Sequence, residues 1–246
     1  MSGWSERELI PYEAATFSAR RALVLAPHAD DEAMGCSGLM AKLAEQGARI
    51  HVVYLAVDGF HHYGVDGETT LQQRIDEIDD VISLFGASTT YEIVYQDQDL
   101  IEQLDTRPRR ELVDRFEKVI IEHKPELLLV PALPDYDQDH QAVFYAAHAA
   151  ARPIAQQFGN HLAPNVLAYE MTKIQWAAEP LPRFAAFTDI TDVMETKLES
   201  IRRYKTMLRP SPHIRSLESV KALATIRGAE IGVTYAEAFA VLRATL

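Results

Sequence analysis

The chain has 246 residues, 48% of them hydrophobic, which is enough for the core of one α/β domain. Its 24 Lys and Arg against 36 Asp and Glu leave a formal charge of −12, which argues against general affinity for nucleic acid or anionic membrane. The single cysteine, Cys36, excludes an intrachain disulfide framework, and no apolar stretch approaches the ~20 residues that span a bilayer.

Along the chain, Ala22–Ala26 is an apolar run expected to form a first strand. It leads straight into Pro27-His-Ala-Asp-Asp-Glu32, a concentration of charge that an ordinary loop does not need. Gly35–Gln46 is expected as a helix ended by Gly47, and Arg49–Ala56 as a second strand rich in Val and Ile. Thr70–Phe85 has helical spacing and stops at Gly86. Tyr91–Tyr95 is expected as a third strand and Arg109–His123 as a helix, with Arg107-Pro-Arg-Arg110 forming its solvated start. Pro125 breaks the chain before Glu126–Val130, a short apolar run with the character of a fully buried strand. Asp139–Phe158 returns to helix. Strands alternating with helices imply βαβ units and a parallel sheet. Beyond residue 160 the pattern loosens, with strands expected at Val166–Met171 and Phe184–Ile190. Helices are expected at Asp192–Leu208 and Leu217–Arg227, separated by the turn Pro210-Ser-Pro212. No internal repeat or low-complexity linker divides the chain, so residues 1–246 are expected as a single domain. The segment Met1–Glu8 lacks the basic start and apolar centre of a secretory signal, so a cytoplasmic location is expected.

In a doubly wound sheet, ligands bind beyond the carboxyl ends of the strands. Pro27–Glu32 follows the first strand and Pro131–His140 follows the buried run at 126–130, so both loops are expected to open on one crevice. The second loop carries Asp135, Asp137, Asp139 and His140. His28 and Asp31 are three residues apart, so a tight turn brings both side chains to one point, with His140 as a third ligand from the other loop. Two imidazoles and one carboxylate suit zinc and leave a coordination position open, although ferrous iron accepts a similar set. Asp30, beside those ligands, is placed to take a proton, and Asp139 to orient a catalytic group. Taken alone, either Asp30 or Asp31 reads more simply as a helix cap.

Pro27-His-Ala-Asp-Asp-Glu32 resembles the Pro-His-Pro-Asp-Asp-Glu signature of the LmbE/PIG-L-like N-acetylglucosaminyl deacetylases, and Asp139-His140 resembles that family's second motif. Arg74-Ile-Asp-Glu77 followed by Leu84-Phe-Gly86 is similar to its Arg-x-x-Glu helix, and Asp97-Gln-Asp-Leu100 to its Asp-x-x-Leu sugar-binding turn. Ser211-Pro-His-Ile-Arg-Ser216, Arg227-Gly228 and Tyr235-Ala-Glu-Ala-Phe239 resemble the C-terminal stretch of its bacterial branch. The resemblance implies a Rossmann-like α/β fold, a mostly parallel sheet flanked by helices, with a C-terminal α/β extension. It implies zinc-dependent removal of an acetyl group from an N-acetylated sugar or sugar conjugate. By position, His28, Asp31 and His140 become the metal ligands and Asp30 the general base. Asp139 becomes the orienting carboxylate, and Arg74 and Asp97 the sugar contacts.

Two positions depart from that pattern. Ala29 replaces a proline, and Asp137 stands where the family commonly has a histidine that helps to stabilise the oxyanion. A carboxylate would repel an oxyanion, so we expect His213, in the turn Pro210–His213, to reach over the crevice and donate instead. Asp137 would then raise the pKa of its imidazole. His61 and His62 are candidates for substrate contact, and Trp176 for stacking on a sugar ring. His51, His123, His148 and His161 are expected to be structural or surface residues. The alternatives are an amidase for another small amide conjugate, with the same machinery and a different crevice lining, and a sugar-binding module without turnover. No nucleic acid or membrane partner is expected, and the sequence leaves open whether the chain forms a homo-oligomer.

Overall fold

The computed structural model describes residues 17–61, 68–154, 159–176 and 179–245. Strand β1 (Arg21–Ala26) leads into helix α1 (Asp31–Glu45), followed by β2 (Arg49–Val57) and a two-stranded ribbon of β3 (Phe60–His61) and β4 (Glu68–Thr69). Helix α2 (Leu71–Ser83), β5 (Thr89–Gln96), α3 (Arg109–His123), β6 (Leu127–Pro131) and α4 (Gln138–Ala150) continue the alternation. The chain closes with β7 (Asn165–Tyr169), β8 (Phe184–Asp189), α5 (Met194–Arg203), α6 (Leu217–Ile231) and β9 (Ala236–Arg243).

The main sheet runs β5-β2-β1-β6-β7-β9-β8. Its first five strands are parallel, and β9 pairs antiparallel with both β7 and β8. The α/β class and the mostly parallel sheet therefore agree with the expectation, and β9 is an addition to it. β1 lies between β2 and β6 and is buried on both faces. Val24 and Ala26 pack with residues of α1, α2, α5 and α6, whereas Leu23 and Leu25 pack with α3 and α4. That two-sided burial is why Ala22–Ala26 reads as an unbroken apolar run rather than as an alternating one.

Helix α1 lies close on the sheet because it is built from small residues. A side chain at Gly35 would collide with the ring of Tyr169, and one at Gly38 with Ile190 and Glu237. A buried ion pair ties the same helix to the C-terminal elements. The Glu237 carboxylate accepts the backbone N–H groups of Gly38 and Leu39, both at 2.8 Å. The Lys197 ammonium donates to the carbonyls of Ala33 and Met34 and to Glu237 Oε1 at 2.7 Å. The first turns of α1 are thus held against the sheet, α5 and β9.

Two helices are shorter than expected. The helix expected over Asp139–Phe158 ends at Ala150, close before Pro153, a residue that cannot continue it; residues 155–158 lie outside those described. The helix expected over Asp192–Leu208 spans Met194–Arg203, after which a turn buries Tyr204 and Met207. Among the described residues, no helix is long and apolar enough to cross a membrane.

Candidate metal centre

β1 and β6 are parallel neighbours, yet the chain leaves β1 for α1 on one face of the sheet and leaves β6 for α4 on the other. A crevice opens where two adjacent strands send their connections to opposite faces, and both acidic loops lie there. Asp30 closes the first loop with φ 116°, a left-handed conformation that L residues rarely adopt. Although Asp30 occupies the N-cap position of α1, its side chain makes no capping hydrogen bond. Asp31 Oδ2 accepts the backbone N–H of His28 at 2.8 Å, which folds the turn onto itself. The cap reading of the two carboxylates is therefore not what the structure shows.

The expected ligands converge. Asp31 Oδ2 lies 3.6 Å from His28 Nδ1 and 3.3 Å from His140 Nε2. Donor atoms of His28, Asp137 and His140 lie within 4.8 Å of one another, so Asp137 joins the group as a further carboxylate. Asp139 Oδ2 stands 2.7 Å from His28 Nε2, leaving Nδ1 of that ring to face Asp31. Asp139 is fully buried and also accepts the backbone N–H groups of Glu102 and Leu104 at 2.7 and 2.8 Å. One carboxylate thus orients a candidate ligand and pins the loop beyond β5. Asp58 holds the start of that loop, accepting from Gln98 N and Leu100 N at 2.9 and 3.0 Å.

Burial alone would lower the pKa of His28, but Asp139 and Asp31 outweigh it and lift the ring to about 10. Burial would raise that of Asp31, yet the two histidines hold it well below the usual carboxylate range. Asp30 is pushed upward by burial, against the pull of Arg215, whose Nε lies 3.5 Å from Asp30 Oδ2. Its Oδ1 is buried with no hydrogen-bond partner. Below the loop, Glu32 is fully buried against Tyr204, whose hydroxyl donates to it at 2.6 Å, and burial raises its pKa to about 7.

One group at the centre was not anticipated. Lys173, on the short 3-10 turn Thr172–Trp176 after β7, places Nζ 2.8 Å from Asp137 Oδ2 and 2.9 Å from His140 Nε2. Burial would lower its pKa, but Asp31, Asp137 and Asp135 raise it, so the amine is an ammonium. The donor set, two imidazole nitrogens with two carboxylates and an acid with one unpartnered oxygen beside them, fits a divalent cation. The ammonium seated on two of those donors marks a position built for positive charge.

Two expectations need correction. His213 does not pair with Asp137. It is exposed, its Nδ1 accepts the backbone N–H of Arg215 at 3.0 Å, and burial together with Arg215 and Arg209 lowers its pKa instead of raising it. The cation on Asp137 is Lys173. Arg74 lies beneath the crevice rather than in it, only 3% exposed, with its guanidinium donating to Ala29 O, Glu77 and Thr206. It braces the carbonyl of the first loop. Asp97 is exposed in the turn after β5, at φ 55°, free of the buried network. Trp176 is 81% exposed. His62 and the side chain of His61 lie outside the described residues. His51 and His123 stack at 3.8 Å between ring centroids, in the structural role expected of them.

A family model described as PIG-L, GlcNAc-PI de-N-acetylase, matches residues 23–151, which contain both acidic loops. The uncharacterized deacetylase YaiS of Escherichia coli (strain K12) is 25% identical over 189 residues, covering 75% of this chain and 90% of that protein. The diacetylchitobiose deacetylase of Thermococcus kodakarensis is 26% identical over 196 residues, covering 76% of this chain and 70% of that protein. Among solved structures, GalB, the 4-carboxy-2-hydroxymuconate hydratase of Pseudomonas putida KT2440, superposes with a TM-score of 0.72 at 24% identity. That match covers 92% of this chain and 98% of GalB.

Proposed function

The chain belongs to the PIG-L, GlcNAc-PI de-N-acetylase, family, and from that membership we propose that it is a metal-dependent hydrolase removing the acetyl group from an N-acetylated sugar or sugar conjugate. The fold by itself does not choose this chemistry, since GalB shares it and is a hydratase. The observation that carries the reading is the donor group of His28, Asp31, Asp137 and His140 with the partnerless Oδ1 of Asp30 at its edge. The deacetylase names of YaiS and the Thermococcus protein support the same chemistry.

In this reading His28, Asp31 and His140 hold a divalent cation, most simply zinc, with Fe²⁺ as the alternative the donors also accept. A cation bound there supplies Lewis acidity toward the amide carbonyl and toward a water molecule. Asp30 accepts the proton of the attacking water at Oδ1 and returns it to the leaving amine, and its raised pKa suits both transfers. Arg215 steadies the other oxygen of Asp30, and Asp139 keeps Nδ1 of His28 turned toward the centre. Asp97, exposed in the turn after β5, is assigned in this reading to a sugar hydroxyl, by its place in the Asp-x-x-Leu turn.

The test is the metal content of the purified protein. It should carry about one divalent cation per chain, and His28→Ala, Asp31→Ala and His140→Ala should each lose cation and acetate release together. Full occupancy in all three variants would remove the assignment.

A further inference from the structure

A cation of the chain's own already stands among the carboxylates at the centre of the site. Lys173 reaches the crevice because β7 is the parallel neighbour of β6, which brings the turn after β7 beside the loop after β6. Its Nζ lies 2.9 Å from His140 Nε2 and 2.8 Å from Asp137 Oδ2, with Asp135 Oδ2 at 3.7 Å, and the side chain is 8% exposed. An ammonium can only donate, so His140 Nε2 must offer it a lone pair. A proton on that nitrogen would set two donors against each other at 2.9 Å. The ring proton then belongs on Nδ1, which faces Asp135 Oδ2 at 3.2 Å.

An sp² ring nitrogen has a single lone pair, lying in the plane of the ring. A divalent cation ligated by His140 Nε2 needs that same lone pair and the same side of the ring. Two positive charges cannot share it. We propose that Lys173 is an internal competitor for the metal: its ammonium holds His140 and Asp137 in the metal-free protein, and a divalent cation enters only as Lys173 withdraws from His140. Lys173 thereby sets how tightly this chain holds its metal, because each binding event must displace an ammonium from a ligand nitrogen. The inference rests on reading this centre as the metal site and is independent of the substrate.

The experiment is calorimetric titration of Zn²⁺ into chelator-stripped protein, wild type beside Lys173→Met, Lys173→Gln and His140→Ala. Removing a cation from among three carboxylates should tighten Zn²⁺ binding by roughly 10-fold or more in both Lys173 variants. Stripped Lys173→Met should also melt below stripped wild type, and should gain more in Tm on adding Zn²⁺. Lys173→Gln retains length and a neutral amide, so it serves if the methionine variant does not fold without metal. Zn²⁺ binding that is unchanged or weaker in the Lys173 variants, yet lost in His140→Ala, would overturn the competition and leave the site standing. Binding that survives His140→Ala would overturn both.

Discussion

Asp139, in the first turn of α4, and His28, in the loop after β1, lie 111 residues apart in the chain, and the Asp139 carboxylate lies 2.7 Å from Nε2 of the imidazole. Nδ1 is thereby left to point toward Asp31 and the centre of the site. A carboxylate that fixes the tautomer and tilt of a liganding histidine typically contributes 10–100-fold in metal affinity. Asp139→Asn should therefore bind Zn²⁺ about 10–100-fold more weakly, measured by competition with a chelator. It should also loosen residues 102–104, whose N–H groups it holds. Unchanged affinity would show that His28 is oriented by its own turn.

Asp30 is the complementary case, an acid that the proposed function assigns to proton transfer and not to ligation. Asp30→Asn should keep its metal and lose roughly 10²–10⁴ in kcat, the usual scale of general acid–base catalysis. Normal turnover by a metal-loaded Asp30→Asn protein would assign proton transfer to another group.

Glu32 predicts a pH effect on stability. Its folded pKa of about 7 lies above the ordinary 4.5, because burial penalises the carboxylate more than the Tyr204 hydrogen bond favours it. The native state therefore holds this proton more tightly than the unfolded chain does. The stabilisation is complete below pH 4.5 and is lost as pH rises through 7. Between those limits the wild type should lose about 3 kcal/mol relative to Glu32→Gln, followed by urea unfolding at each pH. Parallel pH profiles for the two proteins would contradict the shift.

The Lys197–Glu237 pair makes a structural prediction away from the chemistry. Both side chains are buried, at 3% and 4% side-chain exposure, and both anchor the backbone of α1. Removing one partner leaves an uncompensated charge, so Lys197→Met should cost about 3–5 kcal/mol of unfolding free energy. A loss below about 1 kcal/mol would mean that Glu237 finds other compensation.

The parts of the fold legible in the sequence were those whose signal is local. β1, β2 and β6 are apolar runs because both faces of the sheet are covered, and α3 begins and ends where its periodicity places it. The two acidic loops stood out because a turn has no other use for so many charges. Lys173 had no such signal. It is one lysine in an unremarkable segment, and only the pairing of β7 with β6 carries it to His140. The same holds for β9, whose place between β7 and β8 is a property of sheet order. Arg74 lay in a motif that suggested the site, but its surroundings are Glu77, Thr206 and Ala29 O, which take three of its five N–H donors. His213 failed as a partner for Asp137 because its turn supplies two arginines as neighbours and a backbone N–H for its ring.

The proposed activity is tested most directly by following acetate and free amine together. The metal-loaded protein is incubated with N-acetylglucosamine, its β-1,4 dimer and a panel of acetamido-sugar conjugates. At least one substrate should yield acetate and primary amine in equal amounts, with release abolished by His140→Ala and strongly reduced by Asp30→Asn. A protein that holds its metal at His28, Asp31 and His140 yet frees neither product from any acetamido sugar would contradict the account.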